Sequence, residues 1–69
     1  MAINEHDDRT ALLADIARIE ASMRGLINGS DLLKSARFSR ARALLLDGLG
    51  DVVATKDAIE LTPPIARLE

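Results

Sequence analysis

Few side chains in this chain have the chemistry for a reaction. His6 stands beside Asp7 and Asp8. Consecutive side chains on a helix point in different directions, so these three do not converge on a metal ion. A serine-histidine-aspartate relay needs a base already oriented by a carboxylate and placed next to a hydroxyl. Nothing marks such partners for His6, which reads as a solvated residue near a helix start. The chain has no cysteine, which removes thiolate nucleophiles, disulfides and thiolate metal sites. Gly48 and Gly50 lack the third glycine and the lysine-serine or lysine-threonine step of a phosphate loop. The expectation is a non-enzymatic protein with no catalytic residue, no metal site and no cofactor.

Charge is distributed in a way that the formal total of −2 conceals. Residues 1–31 carry six acids against three bases, and residues 47–69 carry five acids against two. Between them, residues 32–46 hold Lys34, Arg37, Arg40 and Arg42 and no acid at all. A positive segment inside an acidic chain suits contact with phosphate, because the planar arginine fork matches phosphate oxygens and guanine edges. The other reading of the same residues is a solvated cationic face that pairs with the acidic first helix or with an acidic protein.

The positioning element is the first helix. Leu12, Ile16, Ile19, Met23 and Leu26 step by four, three, four and three residues, which lays one apolar seam along a helix. Leu13, Ala17 and Ile27 widen it on one flank, while Ala11, Asp15, Arg18, Ser22 and Gly25 fall on the far side. Glu5 with Arg9, and Glu20 with Arg24, have the favourable four-residue spacing with the acid first. The seam reads either as a dimerisation face or as the core face of one small domain.

Asn4 is a candidate cap, with Asp7 and Asp8 suited to the positive end of the helix dipole. The first helix is expected to run to about Ile27 and to stop at Asn28-Gly29, a pair that tolerates the left-handed backbone. Ser30 then caps a second helix from Asp31. Residues 31–47 form either one helix or two, with a break or bend favoured at Phe38-Ser39. Two glycines in three positions, Gly48 and Gly50, punctuate the chain. Beyond them Val52 to Thr55 are β-branched apart from Ala54, and Ala58 to Thr62 alternate with period two. That pattern predicts a short C-terminal β-hairpin or extended tail turning at Lys56-Asp57 and stopping at Pro63-Pro64, with a last helical turn from Ile65 to Leu68. The predicted fold is mainly α: one domain over residues 1–69, with 1–4 and 68–69 frayed.

Ser30 to Ala36, the bend at Arg37-Phe38-Ser39 and Arg40 to Gly48 are spaced like the two helices of a helix-turn-helix. The Ile59-Glu60-Leu61-Thr62-Pro63 step is similar to the return strand of the wing in MarR-type winged-helix regulators. That resemblance implies transcriptional repression through a dimer. It places Ser39, Arg40 and Arg42 in the major groove and Lys56 at a wing tip near the backbone. Lys34, Arg37, Arg40 and Arg42 are expected to contact phosphates or bases.

Sixty-nine residues bury little surface and have no staple, so a dimer or a partner protein is expected. The alternative to a DNA-binding regulator is a helical protein–protein interaction module: an adaptor, an inhibitor or a structural subunit. No apolar run approaches a membrane span and the acidic start lacks a basic leader, which makes the cytoplasm the default location.

Overall fold

A computed structural model describes residues 5–63. The expected cap at Asn4, the stop at Pro64, the helical turn from Ile65 to Leu68 and the frayed ends lie outside the described residues. Two long helices dominate. Helix α1 covers Glu5–Gly29, α2 covers Asp31–Lys34, a single 3-10 turn covers Ala36–Phe38, and α3 covers Ser39–Leu61. There is no strand among the described residues.

The first helix starts with three acids in its opening turn, Glu5, Asp7 and Asp8, as the helix dipole favours. It ends as expected at Asn28-Gly29, but by a different means. No described residue has a positive φ, so the chain leaves the helix through Ser30 in extended backbone rather than through a left-handed glycine. Ser30 is the expected cap: its hydroxyl accepts from the Leu33 amide at 3.2 Å. Ser35 repeats the device in reverse. Its backbone is extended, and its amide and its hydroxyl both donate to the Leu32 carbonyl. These two extended serines flank the four-residue helix α2. A 3-10 turn then leads into α3, so the segment is broken, not continuous, and the break spans Ser35 to Phe38.

The C-terminal β-hairpin expected from the sequence is not there. Residues 48–61 belong to α3, which runs through both glycines. A mid-helix glycine costs about 0.8–1.0 kcal/mol relative to alanine. The repeat that continues on either side outweighs this. Phe38, Arg42, Leu45, Leu49, Val52, Lys56 and Ile59 step by four, three, four, three, four and three, and all seven are at least half-buried. The β-branched run at Val52 and Val53 therefore packs as helix, tertiary burial overriding strand propensity. Thr55 satisfies its hydroxyl by donating to the Asp51 carbonyl one turn back.

The partner row on α1 is Arg9, Leu13, Ile16, Glu20, Met23 and Ile27, with the same spacing and the same burial. Helices α1 and α3 thus form an antiparallel hairpin with a coiled-coil-like seam. Arg9 reaches the end of α3, Met23 lies beside Gly48, and Glu20 meets Lys56. The seam is displaced by one position from the expected one. Ile16 and Met23 belong to both rows, whereas Leu12, Ile19 and Leu26 stand 47%, 52% and 49% exposed. Among the described residues only Ile27, at 2%, is buried.

Candidate functional site: an open apolar side and a cationic turn

The charged residues inside the seam are held by one another. The Lys56 ammonium donates to Glu20 Oε1 at 3.1 Å, and Arg24 donates to Glu20 Oε2 at 3.0 Å through Nε. These two donors, Lys56 first, hold the Glu20 carboxyl below the usual carboxylate range. Lys56, expected at a wing tip against DNA, is instead half-buried mid-helix in this pair. Its position is corrected because the wing it was placed on is helix.

Arg9 plays a part that its spacing with Glu5 only half announced. Its Nη1 donates to the Ile59 carbonyl at 2.9 Å and to the Thr62 carbonyl at 2.5 Å, while Nη2 donates to Glu5 at 3.1 Å. A cation at the C-terminal end of a helix is favoured by the helix dipole; here it adds a donor to the Ile59 carbonyl, which also accepts from the Thr62 amide at 3.2 Å. Arg9 therefore clasps the end of α3 to the start of α1, beside a shallow hollow of about 290 Å3 lined by Glu5, Asp8, Arg9, Leu12, Ile59 and Thr62.

The opposite end of the hairpin carries the remaining cations. Lys34 closes α2, Arg37 lies on the 3-10 turn, and Ser39 and Arg40 open α3. Lys34, Arg37, Ser39 and Arg40 are exposed. The Arg37 guanidinium lies 5.6 Å from the centroid of the Phe38 ring, a cation–π contact. Among the described residues none of Lys34, Arg37, Arg40 and Arg42 forms an ion pair. Arg42 differs from the others. It is half-buried in the α3 row, and its buried Nε has no hydrogen-bond partner.

The third feature is apolar. Leu12, Ile19 and Leu26 form an open row along α1, and each precedes a seam residue by one position. On α3 the positions that precede seam residues in the same sense are Ala41, Gly48 and Thr55, and Thr62, just past the end of the helix, continues the seven-residue step. Because the helices run in opposite directions, these two rows lie on the same side of the hairpin; Leu12 and Thr62 line one hollow together. Leu44, 58% exposed, lies one turn from Ala41 and Gly48 on this side. A second open depression, of about 500 Å3, runs over Asp15, Arg18, Ile19, Ser22 and Met23. Large side chains on α1 thus stand beside a row of smaller ones on α3 that Leu44 interrupts.

His6 is exposed, and no group of three histidine or acidic residues able to hold a metal ion occurs among the described residues. No described helix is long and apolar enough to cross a membrane. Comparisons with family models, curated proteins and solved structures returned no match.

Proposed function

We propose that the chain is a non-enzymatic helical interaction module that works by packing its open apolar side against another helical surface. The observation that carries this reading is the exposed apolar row: Leu12, Ile19 and Leu26 stand 47%, 52% and 49% exposed, while Ile27 is the one buried side chain among the described residues. A hairpin with one buried side chain and three half-exposed large aliphatics in a row is half of a core. The test is amide hydrogen exchange on the chain diluted to where it is monomeric. The reading expects rapid exchange along both helices, since two helices without a second layer bury too little to resist opening. Slow, cooperative protection in a dilute monomer contradicts it.

A second reading, a DNA-binding regulator acting as a dimer, is favoured by one observation. The cations at the turn have no carboxylate partner among the described residues, in a chain where Arg9, Arg18, Arg24 and Lys56 all do. Lys34, Arg37 and Arg40, with Ser39 beside them, are the phosphate-facing groups in this reading. Titration against duplex DNA at rising salt is the measurement, with an expected log–log slope of about −3 for three neutralised phosphates. Binding that is insensitive to salt, or absent, removes it.

A further inference from the structure

We infer that the occupant of the open side is a second copy of this chain, seated so that the row Leu12, Ile19 and Leu26 of each copy enters the small-residue row Ala41, Gly48, Thr55 and Thr62 of the other. This deepens the interaction-module reading and rests on it.

Three observations lead to a second copy. The first is exposure. Leu12, Ile19 and Leu26 stand in one row, each about half exposed, while Ile27 is the one buried side chain among the described residues. One additional helical layer covers that row.

The second is self-complementarity. A two-fold interface requires one surface to fit itself. This side carries a ridge and a furrow next to each other, the ridge on α1 and the furrow on α3. A two-fold axis running parallel to the helices, between them, lays the α1 of each copy over the α3 of the other. The ridge then meets the furrow twice, and each such pair of helices is antiparallel.

The third is register. A two-fold axis along the hairpin leaves every residue at its own height. Side chains that meet across the hairpin set the register: Arg9 reaches the Ile59 and Thr62 carbonyls, and the tip of Met23 lies against Gly48. Leu12 is therefore level with the gap between Thr62 and Thr55. Ile19 is level with the gap between Thr55 and Gly48, and Leu26 with that between Gly48 and Ala41. Leu12 and Ile19 meet gaps in the small-residue row, and Leu26 meets a gap bordered by Leu44, so the third level is apolar against apolar. Gly48 occupies the middle of the furrow, and a Cβ there would already lie 3.4 Å from Met23 Cε of its own chain. The product is a four-helix bundle built from two hairpins.

The experiment uses the full chain. Size-exclusion chromatography with light scattering is expected to give twice the 7.4 kDa chain mass. Ile19→Lys is expected to abolish the dimer. Leu46→Lys, which changes an exposed leucine following a seam position on the other side of the hairpin, is expected to keep it. Equal loss in both variants, or a monomeric parent chain, overturns the inference. Because the chain has no cysteine, a second test does not depend on Ile19→Lys folding. Ile19→Cys chains mixed with Thr55→Cys chains are expected to yield the mixed disulfide under mild oxidation. Predominant Ile19→Cys homodimer crosslinks overturn the ridge-in-furrow arrangement. The two readings fail differently. A monomer with fast amide exchange removes the second copy and leaves the interaction module needing another partner. A monomer with slow exchange removes both.

Discussion

Two rows on α1, one position apart, have opposite fates. The row that faces α3 contains Arg9 and Glu20 among its apolar residues, and the row that faces water contains Leu12, Ile19 and Leu26. The α3 seam likewise takes in Arg42 and Lys56. A lone hairpin thus covers charge and leaves leucine bare, the reverse of what water favours. The Glu20–Lys56 pair and the Arg9 clasp on α3 carbonyls fix which residues lie opposite each other, as single polar positions do in coiled coils. The bare row supplies the apolar area that the seam gives up to them. On this account the first row sets register and the second sets association.

The comparison breaks most readily at Ile27, the single buried side chain of the described residues. Ile27→Ala is expected to cost about 2–4 kcal/mol, enough to unfold so small a domain, whereas Leu26→Ala beside it costs helicity only through association. Circular dichroism on both variants separates the two positions, and equal losses at all concentrations contradict the distinction. Next is Arg9→Met, which removes the clasp on Ile59 and Thr62 but keeps the aliphatic stem. A loss of about 1–2 kcal/mol is expected, read as faster amide exchange confined to the last turn of α3.

Acid sharpens the role of Glu20. Its folded pKa is depressed by Lys56 and Arg24, so the unfolded chain binds the proton more readily. The stability from this group is present above the ordinary carboxylate pKa and is lost as pH falls through the depressed folded value. Glu20→Gln is expected to flatten that part of the pH–stability curve, and an unchanged curve contradicts the pairing. The smallest effect has the opposite sign. Gly50 is exposed with nothing within 4 Å of an added Cβ, so Gly50→Ala is expected to raise stability by about 0.8–1 kcal/mol. A lower thermal midpoint in that variant contradicts an open mid-helix Gly50.

Much of this architecture was legible in the residues. The extent of α1, the Ser30 cap, the break before Ser39 and the i,i+4 pairs at Glu5 and Glu20 follow from local chemistry that the fold retains. The seam was not, because it was sought among apolar residues alone. Admitting Arg9 and Glu20 on α1, and Arg42 and Lys56 on α3, reveals two unbroken four-three repeats; omitting them shifts the row toward Leu12, Ile19 and Leu26. The same omission hid the repeat that carries α3 through Gly48 and Gly50, so local glycine and valine preferences pointed to a hairpin. At the turn, the cation cluster was visible as a charge run, but the inward position of Arg42 depends on its place in that repeat.

The central claim is that the bare row is covered by association when the protein is folded. Thermal unfolding of the full chain followed over about a hundredfold range of concentration tests it most directly, since association linked to folding makes the midpoint depend on concentration. The account predicts a midpoint that climbs steadily with concentration in the parent chain and stays flat and low in Ile19→Lys. A parent midpoint that does not move across the range, with full helicity at its dilute end, contradicts it.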